Sequence, residues 1–133
     1  MKTITVAAAV ICNAQNQLLL VRKKNTAYFM QVGGKLEPQE DPQQCLIREI
    51  REEIGCDCQV EQFIGRFETA AANEPDHQLV SYVYEVNLRQ APNIAAEIAQ
   101  MTWLDLADRS LPLAPLTEQV VIPWCTAQIT SHC

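Results

Sequence analysis

Residues 34–56 of the chain read GKLEPQEDPQQCLIREIREEIGC, and this stretch decides the fold. Asp41 can cap a helix, Pro42 suits its first turn, and Gly55 can end it in the left-handed conformation. Apolar side chains recur at helical spacing and give the helix one buried face; they are Leu46, Ile47, Ile50 and Ile54. The stretch therefore predicts an amphipathic helix that follows a glycine-containing loop.

The opposite face of this predicted helix is acidic. Glu49, Glu52 and Glu53 stand at i, i+3 and i+4, so they fall within an arc of about 100°. Like charges at this spacing repel by roughly a few tenths of a kcal/mol per pair. One interpretation is a solvated face of mixed charge. The other is a site for a divalent cation, which the adjacent Gly33–Gly34 favours because paired glycines let the backbone approach a ligand closely.

The segments on either side of the helix have the patterns of strands and turns. Thr3–Cys12 and Gln17–Lys24 are rich in branched residues and flank a polar turn, and a short third strand is predicted at Tyr28–Val32, ending at the glycine pair. Pro123 is expected to kink a closing helix. The remaining predicted elements are strands at 59–69, 78–88 and 101–104, a helical turn at 105–109 and the closing helix at 116–129. Together they predict an α/β fold with a mixed sheet between helices.

Composition and charge exclude several classes of protein. The chain has 133 residues, of which 48% are hydrophobic and 20% charged, which indicates a globular protein with its own core. We expect a single domain over residues 1–133. The longest apolar run, Val6–Cys12, is far shorter than the ~20 residues that cross a bilayer, so no membrane association is expected. The formal net charge of -6 argues against a nucleic-acid partner.

The N-terminus and the cysteines both predict a cytoplasmic protein. The first residues lack the small-residue cleavage site of a signal peptide and have the pattern of a first strand. Cys56 and Cys58 form a pair, but no second pair stands at the spacing of a zinc site. We interpret the thiols as structural or incidental, which makes a redox or metal-storage protein the weakest alternative. The six cysteines are Cys12, Cys45, Cys56, Cys58, Cys125 and Cys133.

The helix and its loop together resemble the Nudix box. That pattern is a glycine, five residues, a glutamate, seven residues, and then Arg-Glu-aliphatic-any-Glu-Glu-any-Gly-aliphatic. Gly34, Glu40 and the run 48–55 supply every fixed polar and glycine position, and Cys56 replaces the final aliphatic residue. The chain is thus similar to small, MutT-like members of the Nudix hydrolase family. The resemblance implies a Nudix fold, with a mixed β-sheet sandwiched between α-helices.

This resemblance implies a metal-dependent enzyme and assigns its ligands. Nudix hydrolases use Mg²⁺, or Mn²⁺, to cleave a pyrophosphate bond in a nucleoside diphosphate linked to another group. Glu52 and Glu53 would be metal ligands, with the carbonyl group of Gly34 as another. Glu49 would be a further ligand or the base that deprotonates water, and both roles stay open. Arg48 would hold a glutamate in place by a charge-assisted hydrogen bond.

The resemblance implies three further candidates, by their positions relative to those of relatives. Glu97 precedes the strand at 101–104 and would serve as base or extra ligand, while the alternative is an exposed acid in a helical turn. Arg22, at the end of the second strand, and Lys35 would contact the substrate, while the alternative for both is ordinary surface charge. Lys23 and Lys24 are expected to be plain surface residues.

The expected substrate is a small nucleotide. The size and plain architecture resemble those of MutT-type enzymes, which implies a (deoxy)nucleoside triphosphate as substrate, oxidised ones included, with a nucleoside monophosphate and pyrophosphate as products. ADP-ribose and NDP-sugars are alternative substrates, and a catalytically silent Nudix-fold binding module is an alternative function. Many small Nudix proteins form homodimers, so a homodimer is a further expectation. Val32 and Gln39 stand where many relatives have Pro and Gly.

Overall fold

A computed structural model describes residues 2–131 of the chain. It contains six strands, two α-helices and one π-helical turn. The helix α1 and the long hairpin strands were predicted within a few residues of their observed ends. The elements are β1 (Lys2–Val10), β2 (Gln17–Lys23), β3 (Val32–Lys35), α1 (Pro42–Ile54), β4 (Cys58–Ala70), β5 (His77–Leu88), β6 (Ile98–Asp105), a π-helical turn (Thr117–Val121) and α2 (Ile122–Ser131).

The strands form two sheets. The larger sheet has the order β3-β1-β5-β4, and the smaller sheet pairs β2 with β6. Strand β1 runs antiparallel to β3 and parallel to β5, so the larger sheet is mixed. An isolated bridge between Val21 and Met30 links β2 to the segment that leads into β3. The mixed α/β class predicted from sequence is confirmed.

Two apolar cores lie on opposite sides of the strands. Along β1, Ala7 and Ala9 belong to the core that contains the buried face of α1, whereas Ala8 and Val10 belong to the core that contains α2. Successive side chains of a strand point to opposite faces, so one short strand serves both cores. The strands are thus packed between helices, and this packing fixes the position of α1 against β1 and β3.

Three local expectations were wrong. The third strand runs through the glycine pair, because Gly34 pairs with Ala7 of β1, whereas Phe29 forms only an isolated bridge to Leu113. Residues 105–109 form a turn closed by a hydrogen bond from the Asp108 N–H to the Asp105 carbonyl oxygen (2.9 Å), not a helical turn. Residues 96–97 are likewise a turn that leads directly into β6.

The closing helix contains a π-helical turn where a kink was expected. The turn spans Thr117–Val121, and α2 follows it with Pro123 at its second position. Proline has no N–H and its ring crowds the carbonyl group four residues before it, so a local widening of the helix relieves both problems. Within residues 2–131, no helix has the length and apolar character that crossing a bilayer requires.

Candidate active site

Helix α1 is held at both ends by the predicted caps. The Asp41 carboxylate accepts a hydrogen bond from the Gln44 N–H (2.9 Å). At the other end, Gly55 adopts a φ of 67°, and its N–H donates to the Arg51 carbonyl oxygen (3.1 Å). The buried face of the helix, which includes Leu46, Ile50 and Ile54, is fully excluded from solvent. The acidic face of α1 is therefore fixed relative to β3.

The glycine pair allows close contacts that no other residue permits. A Cβ atom on Gly33 would collide with the carbonyl oxygen of Ala7 in β1, and Gly33 also has a φ of 155°. A Cβ atom on Gly34 would lie 2.5 Å from the carboxylate carbon of Glu49. Because these contacts lie on two sides of β3, the pair packs the strand against β1 and places its backbone beside a carboxylate of α1.

Glu53 is a buried carboxylate at the centre of the site. Its side chain is 5% exposed, and its Oε2 lies 3.6 Å from the Lys23 ammonium nitrogen. The backbone N–H of Gly33 donates to its Oε1 (3.2 Å). Burial, only partly offset by Lys23, raises the pKa of Glu53 to about 7. The expectation that Lys23 is a plain surface residue was wrong.

The other two acids of the motif differ in exposure. The Glu49 side chain is 14% exposed and accepts a hydrogen bond from the Arg48 guanidinium (2.9 Å). Burial raises the pKa of Glu49 despite that partner. Glu52 is 52% exposed and lies 3.4 Å from the same guanidinium group. The solvent exposure of the three acids therefore increases from Glu53 through Glu49 to Glu52.

Arg48 joins the loop before α1 to the acidic face. Its Nε and Nη2 atoms donate to the two carboxylate oxygens of Glu40, each at 2.8 Å. This bidentate pair holds the pKa of Glu40 down at about 2. Glu40 also accepts a hydrogen bond from the Glu37 N–H (3.0 Å), so it ties the loop to the helix.

The loop itself contains a strained residue. Gln39, which stands where many Nudix sequences have glycine, has a φ of 65°. Side-chain-bearing residues adopt this left-handed conformation at a cost of about 1 kcal/mol or more, whereas glycine adopts it freely. The substitution is thus accommodated by strain and leaves the Glu40–Arg48 contact intact.

The structure places the three remaining candidates at the edges of the site. Arg22 donates hydrogen bonds to the Gln100 side chain (2.7 Å) and to the Thr26 carbonyl oxygen (2.8 Å). Lys35 is largely exposed and lies 3.4 Å from a Glu74 carboxylate oxygen. Glu97 is exposed in its turn. The chain near Glu97 is anchored to α1, because the N–H two residues earlier donates to the Glu53 carbonyl oxygen (3.0 Å).

A cleft of about 390 Å³ opens beside the glycine pair. Its walls include Lys23, Lys35 and both glycines, together with Gln31 from the approach to β3 and Thr117 from the π-helical turn. No sequence pattern indicated Gln31 or Thr117, since they come from segments 86 residues apart. This volume lies in the range of small-molecule sites.

The acids have the chemistry of a divalent-cation site but are paired within the protein. Carboxylate and carbonyl oxygens are the ligands that Mg²⁺ and Mn²⁺ prefer. Over residues 2–131, no three His, Cys, Asp or Glu side chains converge as a ready-made metal site. Glu49 and Glu52 face Arg48, and Glu53 faces Lys23. The donor set fits a divalent cation.

Comparisons with known proteins identify the family of the chain. The NUDIX domain family matches residues 1–125. The chain is 25% identical over 126 residues to the 8-oxo-dGTP diphosphatase of Escherichia coli (strain K12), covering 92% of this chain and 95% of that protein. The E. coli ORF135 protein superimposes with a TM-score of 0.73 and 26% identity over 100% of this chain and 93% of its own.

A UDP-X diphosphatase superimposes with a TM-score of 0.79 and 22% identity over 98% of this chain and 65% of its own. This similarity shows a shared fold. The family match covers most of the chain, and it includes the loop and helix that carry the acids. The protein therefore belongs to the NUDIX family and is a Nudix hydrolase.

Proposed function

We propose that this protein is a divalent-metal-dependent pyrophosphohydrolase that converts a (deoxy)nucleoside triphosphate to the nucleoside monophosphate and pyrophosphate. The observation that carries the proposal is the placement of two carboxylates of α1, Glu49 and Glu53, against the glycine pair that lines the cleft. Lys23 and Lys35 also line the cleft, so a polyphosphate chain would meet cationic groups as well as a metal.

The metal ligands would be Glu49, Glu52, Glu53 and the carbonyl oxygen of Gly34. Mg²⁺ or Mn²⁺ held by these residues would supply charge neutralisation for the pyrophosphate and would lower the pKa of a bound water. Glu53 is already partly desolvated, and its pKa of about 7 means that a nearby cation would shift it to the ionised form. Metal binding and ionisation of Glu53 are therefore coupled.

Arg48 and Glu49 would act together on the attacking water. The 2.9 Å hydrogen bond from Arg48 fixes the orientation of the Glu49 carboxylate. Burial raises the pKa of Glu49, which brings it nearer to neutrality and makes it a stronger proton acceptor. Glu97 is the second candidate base, since its turn is anchored to the last turn of α1.

A nucleoside triphosphate is the preferred substrate class for two reasons. The relative that spans most of both chains is named as an 8-oxo-dGTP diphosphatase. The cleft of about 390 Å³ is also within the range of small-molecule sites, as a nucleotide requires. Sugar nucleotides are the second candidate, because a structure named as a UDP-X diphosphatase shares the fold.

A product assay on a substrate panel tests the proposal. The panel comprises the common NTPs and dNTPs, 8-oxo-dGTP, ADP-ribose and NDP-sugars, each with Mg²⁺, with Mn²⁺ and with EDTA. Phosphate that appears only after added pyrophosphatase, and only with metal, supports cleavage of triphosphates to pyrophosphate. Activity confined to ADP-ribose or sugar nucleotides moves the protein to the second candidate. Silence across the panel, with folded protein, favours a binding module.

Two variants identify the base. Glu49→Gln and Glu97→Gln are compared for turnover and for metal binding, measured separately by the metal-induced rise in melting temperature. The base is the residue whose loss lowers turnover while metal binding persists. The assembly as a homodimer and the cytoplasmic location remain predictions, and sedimentation of the purified protein tests the first.

A further inference from the structure

The side chain of Gln31 lies where the cleft meets the π-helical turn. Gln31 is 5% exposed, and its Oε1 accepts a hydrogen bond from the Thr117 hydroxyl group at 2.6 Å. Its amide nitrogen has no hydrogen-bond partner among the described residues. Buried polar groups are nearly always paired, so this amide is a donor that something else must satisfy.

The amide nitrogen lies just beneath the surface of the cleft. Both Gln31 and Thr117 line the cleft, yet the nitrogen itself exposes less than 1 Å². The terminal torsion of glutamine is soft, and the neighbouring Met30 is a flexible side chain that can give way. A modest turn of the amide therefore brings the donor to a ligand in the cleft.

The position of Gln31 relative to the glycine pair matches the dimensions of a nucleotide. Gln31 precedes Gly33 by two residues in an extended segment, which is a separation of roughly 7 Å along the chain. A sugar spans this distance between an α-phosphate at the glycine pair and the edge of a base. The cleft wall includes the apolar residues Ala8, Ala114 and Leu116, and the Gln31 amide is a polar group that can orient a base there.

We propose that the Gln31 amide, held by Thr117, makes this site select bases that present a carbonyl oxygen over bases that present an amino group. This inference rests on the proposed function and names its substrate class. Thr117 occupies the amide oxygen, which leaves the amide to donate. A carbonyl oxygen, such as O6 of guanine-type bases, accepts that hydrogen bond, whereas the 6-amino group of adenine leaves two donors facing each other.

The test compares dITP with dATP, which differ at position 6 by a carbonyl and an amino group. We expect kcat/KM to be roughly 10-fold or more higher for dITP than for dATP, because dITP gives the buried amide a hydrogen-bond acceptor and dATP leaves it unpaired. Gln31→Leu should bring the ratio close to one, Gln31→Glu should favour dATP, and Thr117→Val should weaken the preference. Gln62→Leu, an exposed glutamine on β4, is the matched control and should keep the wild-type ratio.

A second readout separates this inference from the proposed function. Titration calorimetry measures the affinities for the monophosphates dIMP and dAMP, without turnover. Hydrolysis of both triphosphates at equal rates, or a ratio that persists in Gln31→Leu, overturns the role of Gln31 and leaves the hydrolase intact. Absence of hydrolysis overturns the proposed function. The base preference is then tested by the monophosphate affinities alone: tighter binding of dIMP than of dAMP supports it, and equal affinities overturn it.

Discussion

Replacement of Glu53 by Gln should stabilise the metal-free protein at alkaline pH while it abolishes the metal site. The carboxylate is 5% exposed and accepts from the Gly33 N–H, a hydrogen bond that the amide oxygen of Gln can keep. Burial raises its pKa from 4.5 to about 7. The folded protein therefore resists ionisation of a group that ionises freely once the chain unfolds.

The size of the effect follows from the two pKa values. Below pH 4.5 the Glu53 carboxyl group is mostly neutral in both the folded and the unfolded protein, so it does not lower the free energy of unfolding. Between pH 4.5 and about 7 the unfolded chain ionises first, so stability falls as pH rises, and above pH 7 the loss is complete. A pKa difference of about 2.5 corresponds to about 3 kcal/mol, at about 1.4 kcal/mol per pH unit.

Urea unfolding in EDTA at a series of pH values measures this difference. We expect the free energy of unfolding of Glu53→Gln, minus that of the wild type, to rise by about 3 kcal/mol between pH 4.5 and pH 8.5. Glu61→Gln, an exposed acid on β4, is the matched control and should give a flat difference. A difference for Glu53→Gln that is equally flat would falsify the assignment of a buried, desolvated carboxylate.

Added Mg²⁺ should reverse the order of stability. The wild type gains stability by mass action when a cation binds the folded state, whereas Glu53→Gln lacks one carboxylate ligand. At pH 8.5 the melting temperature of the wild type should therefore rise with Mg²⁺ while that of the variant stays constant. An equal rise in both proteins would place the cation away from Glu53.

Three further changes have distinct expected outcomes. Glu52→Gln should lower turnover by roughly 100-fold or more with little change in melting temperature, because the side chain is half exposed; kinetics and calorimetry check this. Gly34→Ala should abolish activity, since the new Cβ atom would lie 2.5 Å from a carboxylate of α1. Gly55→Ala is the comparison, because its Cβ atom would meet no atom within 4 Å. It should lower the free energy of unfolding by only about 1–2 kcal/mol and retain activity. Glu40→Gln should destabilise the protein at neutral pH. Urea unfolding measures the free energy of unfolding, and the difference in this free energy between wild type and variant should shrink as pH falls from 4.5 towards 2, where the wild-type carboxylate protonates.

Sequence patterns correctly predicted the elements that depend on interactions between residues close together in the chain. The cap at Asp41, the left-handed Gly55 and the apolar stripe of α1 are all properties of neighbouring residues, and the structure confirms them. The third strand was misplaced because its pairing is not local. Gly33 and Gly34 look like a turn in sequence, yet they lie in a strand because they pair with β1, where the Ala7 carbonyl oxygen leaves no room for a Cβ atom on Gly33.

The sequence by itself determined the helix, its caps, the acidic face and the match of residues 34–55 to the Nudix box, because each depends on spacing along one segment. Only the tertiary structure decided how these acids differ. Glu53 is buried beside Lys23 while Glu52, its neighbour in sequence, faces solvent. The pairing of Gln31 with Thr117 joins segments 86 residues apart. Burial and long-range contact depend on how distant segments pack, and no pattern within either segment records them.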